Sequence, residues 1–443
     1  MKKILLTLIT NLLILSSSIA QIPKEAFPLT NSLSDLWQNG DTEKAIESSM
    51  ELYRLYPPMF IDRIHNTLAQ KLQGEKKQNC ITYLEQLFQK NNEEINQIIT
   101  PVLLWSKALN ANEPKELTSI VNELNTLIKD SSHYSSRAER YILLILKELD
   151  KKNAIDNNSR KQIINKNIIS LGTYPFIEKV ISDRGEAEKR AWNRYLLAYS
   201  YDYLYSNVIN EETYLKRASD YSPDLNDRLY KHAYFYDAAL LTGNTKQIGF
   251  KSKYWKYLND NNRKPEVLIL LCDITFSDPT DNNITELKNY YENSGNTAPF
   301  KSYWMNYINS MGKAVPMIKL NFEKEELNLT KKPDCWIYID VWGTWCSPCR
   351  KELPELQSLY FENNKVSDSN LKIYSFSYSS QNLINFMNEN NYTFPVCEID
   401  KEVNDLFEIT GYPTKILISP EGNYIKIPFG LDWKMFVKNY TLI

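Results

Sequence analysis

The chain has 443 residues, of which 43% are hydrophobic and 24% are charged, and its formal net charge at pH 7 is −2. This length exceeds what one hydrophobic core usually organises, so we expect at least two domains. The nearly balanced charge excludes a strongly basic surface that would bind nucleic acid, and six cysteines in so long a chain exclude a small disulfide-held scaffold.

Residues 1–20 have the composition of a signal peptide. A basic start at Lys2 and Lys3 precedes the apolar segment Ile4–Leu15, and the small residues Ser18 and Ala20 fit a cleavage site. The alternative is an uncleaved anchor, although the apolar segment is short for a membrane span. We therefore expect an exported protein without a membrane span in the mature chain, located in the periplasm of a Gram-negative bacterium.

Residues 21–313 are typical of a domain of helical hairpins. Leu33–Trp37 precedes a glycine turn, and the helix after that turn is expected to stop before Pro57. Aromatic residues and alanines recur at helical spacing in Trp192–Leu204 and in Tyr214–Pro223. These segments resemble tetratricopeptide-type hairpins, so we expect an all-α domain of tetratricopeptide-like or α-solenoid type that binds a partner or positions substrates.

Residues 314–443 differ in character, because short strand-like runs alternate with helical ones. The apolar strand Trp336–Trp342 leads directly towards Cys346. The other predicted elements are a hairpin of Met317–Leu320 and Glu326–Leu329, helix Cys346–Glu362, strand Leu371–Tyr378, helix Asn382–Asn390, strand Phe394–Glu398, helix Lys401–Thr410, a hairpin of Lys415–Ser419 and Tyr424–Pro428, and helix Leu431–Tyr440. A βαβ unit followed by a hairpin and a final helix predicts an α/β thioredoxin fold.

Several linked motifs make this C-terminal region similar to a known family. They are DVWGTWCSPC, Glu352-x-Pro354, Phe394-Pro395-Val396, Gly411-Tyr412-Pro413-Thr414 and Ser419-Pro420-Glu421-Gly422. Together they resemble the thioredoxin-like domain of exported disulfide reductases of the TlpA/ResA type. A lone Cys-x-x-Cys also occurs in zinc sites, but here it stands at a strand-to-helix junction with a Pro-Thr strand downstream.

The two cysteines of the Cys-Ser-Pro-Cys motif are the candidate catalytic residues. Cys346 is expected at the N-terminus of a helix, where unpaired N–H groups and the helix dipole favour a thiolate, which makes it the nucleophile. Cys349, one turn later, is placed to attack the mixed disulfide and release the substrate. Pro348 stiffens the first turn of this helix.

Two carboxylates lie close to the dithiol in the sequence. The resemblance implies that Asp340 is the buried acid of thioredoxins and that Glu352 is the active-site acid of the TlpA/ResA type. A buried carboxylate can pass a proton to or from the resolving thiol during exchange. The alternative for Glu352 is a surface residue that pairs with Arg350 or Lys351.

The resemblance also implies a substrate-binding surface beside the dithiol. Pro413 is expected to be cis and to pack opposite the cysteines, which leaves the backbone of Tyr412 free to pair with a substrate strand. Trp345 and Pro348 are candidates for substrate contact, and Trp342 and Trp345 are expected to wall the site and not to react.

The remaining cysteines and the histidines argue against a metal centre. Cys80, Cys272, Cys335 and Cys397 are expected to be free thiols, with a Cys335–Cys397 disulfide as the open alternative. The histidines, at positions 65, 133 and 232, all fall in the helical region, so the dithiol lacks further zinc or copper ligands. We expect no metal and no cofactor besides the redox-active Cys346–Cys349 pair.

The predicted function is exported thiol-disulfide exchange, in the direction of disulfide reduction. The expected partners are exported proteins that carry disulfides, with a membrane-linked thiol protein as electron donor. The alternative is a helical interaction or scaffold protein whose thioredoxin-like domain has little turnover.

Overall fold

The computed structural model describes residues 22–129, 136–179, 183–228, 230–243, 249–366 and 369–442. The predicted signal peptide at residues 1–20 lies outside these described residues. Contacts divide the described chain into two compact units. The first unit falls within Met1–Tyr174, Tyr203–Asn210 and Phe235–Gln247, and the second falls within Pro175–Asp202, Glu211–Tyr234 and Ile248–Ile443.

The first unit consists of helical hairpins around a buried apolar core. Its helices are Ala26–Asn39, Thr42–Leu55, Pro57–Asp62, the π-helix Arg63–Leu68, Ala69–Lys71, Lys77–Phe88, Glu93–Asn110, Pro114–Lys129, Ala138–Lys151, Asn157–Gly172 and Phe235–Thr242. Gly40 ends the first helix in the left-handed region with φ of 77°, which glycine adopts without a steric cost. Pro57 begins a helix at a position where a missing N–H is tolerated. Arg140 and Asp237 form a buried ion pair, with 2.7 Å between Nε and Oδ1.

The second unit contains further helices together with all the strands of the described chain. These helices are Glu212–Tyr221, Leu225–Arg228, the 3-10 helix Lys231–Ala233, Lys251–Asp260, Lys264–Ser277, Asp281–Asn293 and Phe300–Met311, while helix Arg184–Asn207 contributes residues to both units. No helix in the described part of the chain is long and apolar enough to cross a membrane.

The strands form one mixed sheet and one separate hairpin. The strands are β1 Lys313–Ala314, β2 Lys319–Asn321, β3 Glu326–Asn328, β4 Trp336–Trp342, β5 Leu371–Tyr378, β6 Val396–Ile399, β7 Thr414–Ile418 and β8 Asn423–Ile427. The sheet order is β1-β8-β7-β4-β5-β6, and β2 pairs only with β3. Strands β4, β5 and β6 are parallel, whereas β7, β8 and β1 join the sheet in antiparallel fashion.

Four helices alternate with or follow strands β4 to β8 along the chain. They are the dithiol helix Ser347–Asn363, then Leu383–Glu389, Lys401–Leu406 and the C-terminal helix Trp433–Thr441. The predicted helix from Lys401 was expected to reach Thr410, but it ends at Leu406 because Glu408 adopts a left-handed conformation with φ of 51°. The order of a βαβ unit, a hairpin and a final helix is otherwise as predicted.

Strand β4 is buried on both faces of the sheet, and its two faces differ in chemistry. Ile337, Ile339 and Val341 belong to an apolar cluster with residues of β5, β7 and the β2–β3 hairpin. The alternate residues Trp336, Tyr338, Asp340 and Trp342 point to the opposite face, as the two-residue period of a strand requires. The single carboxylate of this strand is therefore held within an otherwise aromatic face.

The C-terminal helix packs on helices that precede the sheet in the chain. Trp304 is fully buried and donates its Nε1–H to the backbone oxygen of Asn439, at 2.9 Å. Asn439 in turn donates to the backbone oxygen of Pro279, at 2.6 Å, and Lys438 forms an ion pair with Asp281, at 2.9 Å. Residues on both sides of position 314 thus share one packed core within the second unit.

The predicted multidomain architecture, with an all-α N-terminal region and a thioredoxin-fold C-terminal region, is confirmed by these elements. The domain limits 21–313 and 314–443 remain predictions, because they were placed by sequence character whereas the compact units are defined by contacts. The tetratricopeptide-like character of the helical hairpins also remains a prediction.

Candidate active site

The dithiol lies where strand β4 passes into the dithiol helix. Cys346 and Cys349 form a disulfide with a Cα–Cα distance of 5.3 Å. Cys346 is the N-cap residue, and its sulfur accepts a hydrogen bond from the backbone N–H of Cys349, with 3.3 Å between the atoms. The Cys346 sulfur thus lies at the helix N-terminus. There an N–H donor and the helix dipole stabilise negative charge.

The two cysteine residues differ slightly in their exposure to solvent. Cys346 is 5% exposed and Cys349 is 1% exposed, whereas Ser347 and Pro348 between them are exposed. Both cysteines are therefore buried, and Cys346 keeps the larger exposed fraction. This order agrees with the predicted roles of nucleophile and resolving thiol.

A group of aromatic side chains borders the dithiol. Trp345 is 54% exposed, and its Nε1–H donates to the backbone oxygen of Tyr378 at 3.1 Å. The rings of Tyr412 and Trp345 are nearly perpendicular, with centroids 5.3 Å apart, and Tyr412 stacks on Tyr378 at 5.6 Å. Gly343 is required here, because a Cβ at that position would lie 2.6 Å from the indole nitrogen of Trp345. Trp345 is thereby fixed as an exposed ring beside the cysteines.

The predicted cis proline is present in the fold, and the predicted wall residue Trp342 is buried. The peptide bond between Tyr412 and Pro413 is cis. Within the described residues, the backbone N–H and C=O of Tyr412 form no backbone hydrogen bond outside the sheet ladders. Trp342 is fully buried and donates to the hydroxyl of Ser375, which places its ring inside the domain. Tyr412 is half-buried, whereas the Trp342 side chain has no exposed surface.

The two predicted carboxylates meet at Lys415, a residue that no sequence motif singles out. The Lys415 Nζ lies 3.2 Å from Oδ1 of Asp340 and 2.5 Å from Oε2 of Glu352. The side chains of Lys415 and Asp340 are almost completely buried, while that of Glu352 is 30% exposed. Within the described residues Glu352 forms its ion pair with Lys415, and not with its neighbours Arg350 or Lys351.

The environment of this ion cluster shifts the pKa values of Asp340 and Lys415. Burial raises the pKa of Asp340, although the Lys415 ammonium opposes that shift. Burial alone would lower the pKa of Lys415, but the Asp340 and Glu352 carboxylates outweigh it and raise that pKa above its ordinary value. Lys415 is therefore held in its charged form.

The other four cysteines are free thiols. Burial raises the pKa of Cys80 and of Cys272 to about 11, and it also raises the pKa of Cys335 and of Cys397. These thiols are accordingly protonated at neutral pH and poor nucleophiles. Among the described residues, no group of three or more His, Cys, Asp or Glu side chains is arranged to hold a metal ion.

Comparison with known proteins places the similarity in the same region. Residues 311–426 match the model of the AhpC/TSA family. A stretch of 134 residues is 33% identical to the thiol-disulfide oxidoreductase ResA of Oceanobacillus iheyensis and covers 28% of this chain and 68% of that protein. A stretch of 105 residues is 30% identical to ResA of Bacillus subtilis and covers 24% of this chain and 58% of that protein.

Among solved structures, the thioredoxin domain of a thiol-disulfide oxidoreductase from Bacteroides vulgatus is 26% identical to this chain. The alignment covers 26% of this chain and 84% of that domain, with a TM-score of 0.23. The match to the Oceanobacillus iheyensis protein spans more than two thirds of that relative at 33% identity. Through its C-terminal domain, the chain belongs to the thioredoxin-like family of thiol-disulfide oxidoreductases represented by ResA.

Proposed function

We propose that the protein is an exported thiol-disulfide oxidoreductase that reduces disulfides of other exported proteins through Cys346 and Cys349. The observation that carries this proposal is the position of the disulfide at the N-terminus of the dithiol helix. There the Cys349 N–H donates to the Cys346 sulfur, as it would to a Cys346 thiolate. A purely structural disulfide needs neither this donor nor an exposed aromatic side chain beside it.

The reaction in this proposal is a two-electron exchange. The Cys346 thiolate attacks one sulfur of a substrate disulfide, and the other substrate sulfur leaves as a thiolate that takes a proton from solvent. Cys349 then gives up its proton and attacks the Cys346 sulfur, which breaks the mixed disulfide and releases the second substrate thiol. The protein ends with the Cys346–Cys349 disulfide and has transferred two electrons to the substrate.

Substrate recognition in this proposal uses main-chain pairing and aromatic contact. The free backbone groups of Tyr412 would pair with an extended substrate segment, and the exposed ring of Trp345 would pack against an apolar side chain next to the substrate cysteine. Pro348 lies exposed between the two cysteines and would form the edge of this surface. The helical region would supply a further partner-binding surface.

The cellular setting follows from the predicted signal peptide. An exported protein works where disulfides form and persist, so a reductase there needs a continuous supply of electrons. We propose the periplasm as its compartment and a membrane-linked thiol protein as its donor. That donor would reduce the Cys346–Cys349 disulfide by the reverse of the exchange described above.

Turnover with a model substrate tests the proposed activity. The purified full-length protein is expected to accelerate the reduction of insulin by dithiothreitol, and Cys346→Ser is expected to lower the rate to the uncatalysed background because the attacking sulfur is lost. Cys397→Ser is the matched control, since Cys397 is a free cysteine of the same domain and its loss should leave the rate unchanged. If the parent protein shows no acceleration, the scaffold alternative is favoured.

The redox potential of the dithiol tests the proposed direction. We expect a value nearer to about −270 mV, typical of thioredoxin, than to about −120 mV, typical of the strong oxidant DsbA. Equilibration with defined ratios of reduced and oxidised glutathione, followed by alkylation of free thiols, measures this potential. A value near that of the strong oxidant would make the protein a donor of disulfides instead.

A further inference from the structure

Lys415, Asp340 and Glu352 form a cluster of one ammonium and two carboxylates behind the dithiol, which we call the Lys415 cluster. Lys415 donates to both acids, at 3.2 Å to Asp340 and 2.5 Å to Glu352. A buried charge is costly unless it is paired, so the cluster is stable only when the charges of its buried members balance. Lys415 and Asp340 are the two buried members, and they balance one another.

The register of the sheet brings the cluster together. Asp340 on β4 and Lys415 on β7 are direct partners across an antiparallel pair, so their side chains lie on the same face. Glu352 comes from the dithiol helix, three residues after Cys349, and residues at this spacing are neighbours on a helix surface. The cluster therefore joins the central strand of the sheet to the helix turn that carries the resolving cysteine.

Among the described residues, the other side chains beside the cluster are neutral. Tyr338, two residues before Asp340 on β4, has a buried hydroxyl without a hydrogen-bond partner among the described residues, and burial raises its pKa well above the usual value. The C-terminal helix contributes the Trp433 ring, whose centroid lies 5.5 Å from the Lys415 Nζ. Ser375 is opposite Asp340 on β5, and the next lysine, Lys434, pairs with Glu355 at the surface.

The charge count of the cluster has a direct chemical consequence. Two carboxylates and one ammonium carry one net negative charge when all three are ionised. Because Asp340 is buried and Glu352 is 30% exposed, the balanced pair is Lys415 with Asp340, and the unbalanced charge belongs to Glu352. The hydrogen bond from Lys415 engages Oε2 of Glu352, and Oε1 forms no hydrogen bond within the described residues.

We propose that Lys415 is a positioning residue for disulfide exchange. By neutralising the buried Asp340 carboxylate and holding Oε2 of Glu352, it keeps one negative carboxylate beside Cys349 to take the thiol proton. This inference rests on the proposed function and identifies the residue that makes a single proton acceptor out of two neighbouring carboxylates. Without Lys415 the two acids would compete for one proton, because neighbouring carboxylates resist simultaneous ionisation.

The step that Lys415 supports is the resolution of the mixed disulfide. The Cys349 proton moves to Glu352, the Cys349 sulfur bonds to the Cys346 sulfur, and the bond between Cys346 and the substrate sulfur breaks. The substrate leaves as a thiolate and the cluster becomes neutral overall, with Lys415 still paired to Asp340. When Glu352 returns its proton to solvent through its exposed edge, the cluster regains its net negative charge.

The pH dependence of this step tests the proposal. The reduced full-length protein is mixed with excess glutathione disulfide in a stopped-flow instrument, and tryptophan fluorescence reports the phase whose rate does not depend on the disulfide concentration. In Lys415→Met, the acid limb of the pH profile of this rate is expected to move upward by about one to three pH units. At the pH where the parent's acid limb is at its midpoint, the rate of the variant should be lower by roughly fivefold or more. Lys415→Arg is expected to keep the parent profile, because it retains the positive charge.

Two further variants separate the charge effect from damage to the fold. Lys434→Met removes a positive charge from the neighbouring helix without touching either acid, so its profile should match that of the parent. Asp340→Asn combined with Lys415→Met removes one charge of each sign and leaves Glu352 with its own negative charge. This double variant is expected to return the acid limb to the position of the parent.

The outcomes distinguish this inference from the proposed function on which it rests. If the parent protein does not react with glutathione disulfide, the proposed function fails. If the parent reacts but Lys415→Met leaves the acid limb in place, or lowers the rate equally at every pH, the role of Lys415 is refuted. An acid limb that stays displaced in the double variant would also overturn the charge argument, even if Lys415→Met alone were too unstable to assay.

Discussion

Cys349→Ser will accumulate exported proteins as mixed disulfides on Cys346, whereas Cys346→Ser will accumulate none. The proposed nucleophile is the Cys346 sulfur at the helix N-terminus, which accepts the N–H of Cys349. Removing the resolving thiol leaves the mixed disulfide without its internal attacker, so the covalent complex persists until an external thiol cleaves it. The difference between the two variants is therefore the presence or absence of a trapped species.

Alkylation of cell extracts followed by non-reducing electrophoresis and mass spectrometry measures this trapping. The variant that lacks both cysteines, Cys346→Ser with Cys349→Ser, supplies the background, and Cys397→Ser combined with Cys349→Ser shows that the trapped bond does not involve the free cysteine Cys397. Mixed disulfides that form on Cys346→Ser and are absent from Cys349→Ser would reverse the assigned roles of nucleophile and resolving thiol.

The strands of the C-terminal domain could be predicted from the sequence because consecutive apolar residues indicate a buried strand. Trp336–Trp342 is apolar except for Asp340, and the structure places a fully buried strand over the same residues. Helix ends were harder to predict, since Glu408 stops its helix by a left-handed conformation that its residue type does not favour. The dithiol and Pro413 could be located because their motifs are local, and the cis peptide at Pro413 is present as expected.

Lys415 could not be predicted because its role depends on strand register. It lies 75 positions from Asp340 in the chain, and only the antiparallel pairing of β4 with β7 makes the two residues neighbours. The pattern of apolar and polar residues does not indicate a buried lysine here, since a lysine in a strand is usually assigned to the solvent face. The contact of Trp304 could not be predicted either, because its partner Asn439 lies on a helix 135 positions later in the chain.

Trp304→Ala is expected to destabilise the C-terminal helix by about 3–5 kcal/mol, the usual cost of removing a fully buried tryptophan. The indole has no solvent-exposed surface, donates to the Asn439 backbone oxygen, and packs on Tyr307 and on Tyr440, with ring centroids 5.8 Å and 6.1 Å away. Its loss leaves a cavity and an unpaired backbone carbonyl between helix Phe300–Met311 and the C-terminal helix.

Hydrogen exchange of the amides of helix Trp433–Thr441 measures this change, because the exchange rate of each protected amide reports the free energy of local opening. Met311→Ala is the matched control: Met311 ends the same helix as Trp304 but is 48% exposed, so its loss should cost less than about 0.5 kcal/mol. Faster exchange in Trp304→Ala but not in Met311→Ala would mean that residues before position 314 stabilise the C-terminal domain. Equal exchange in the two variants would mean that the domain beginning near residue 314 is stable without them.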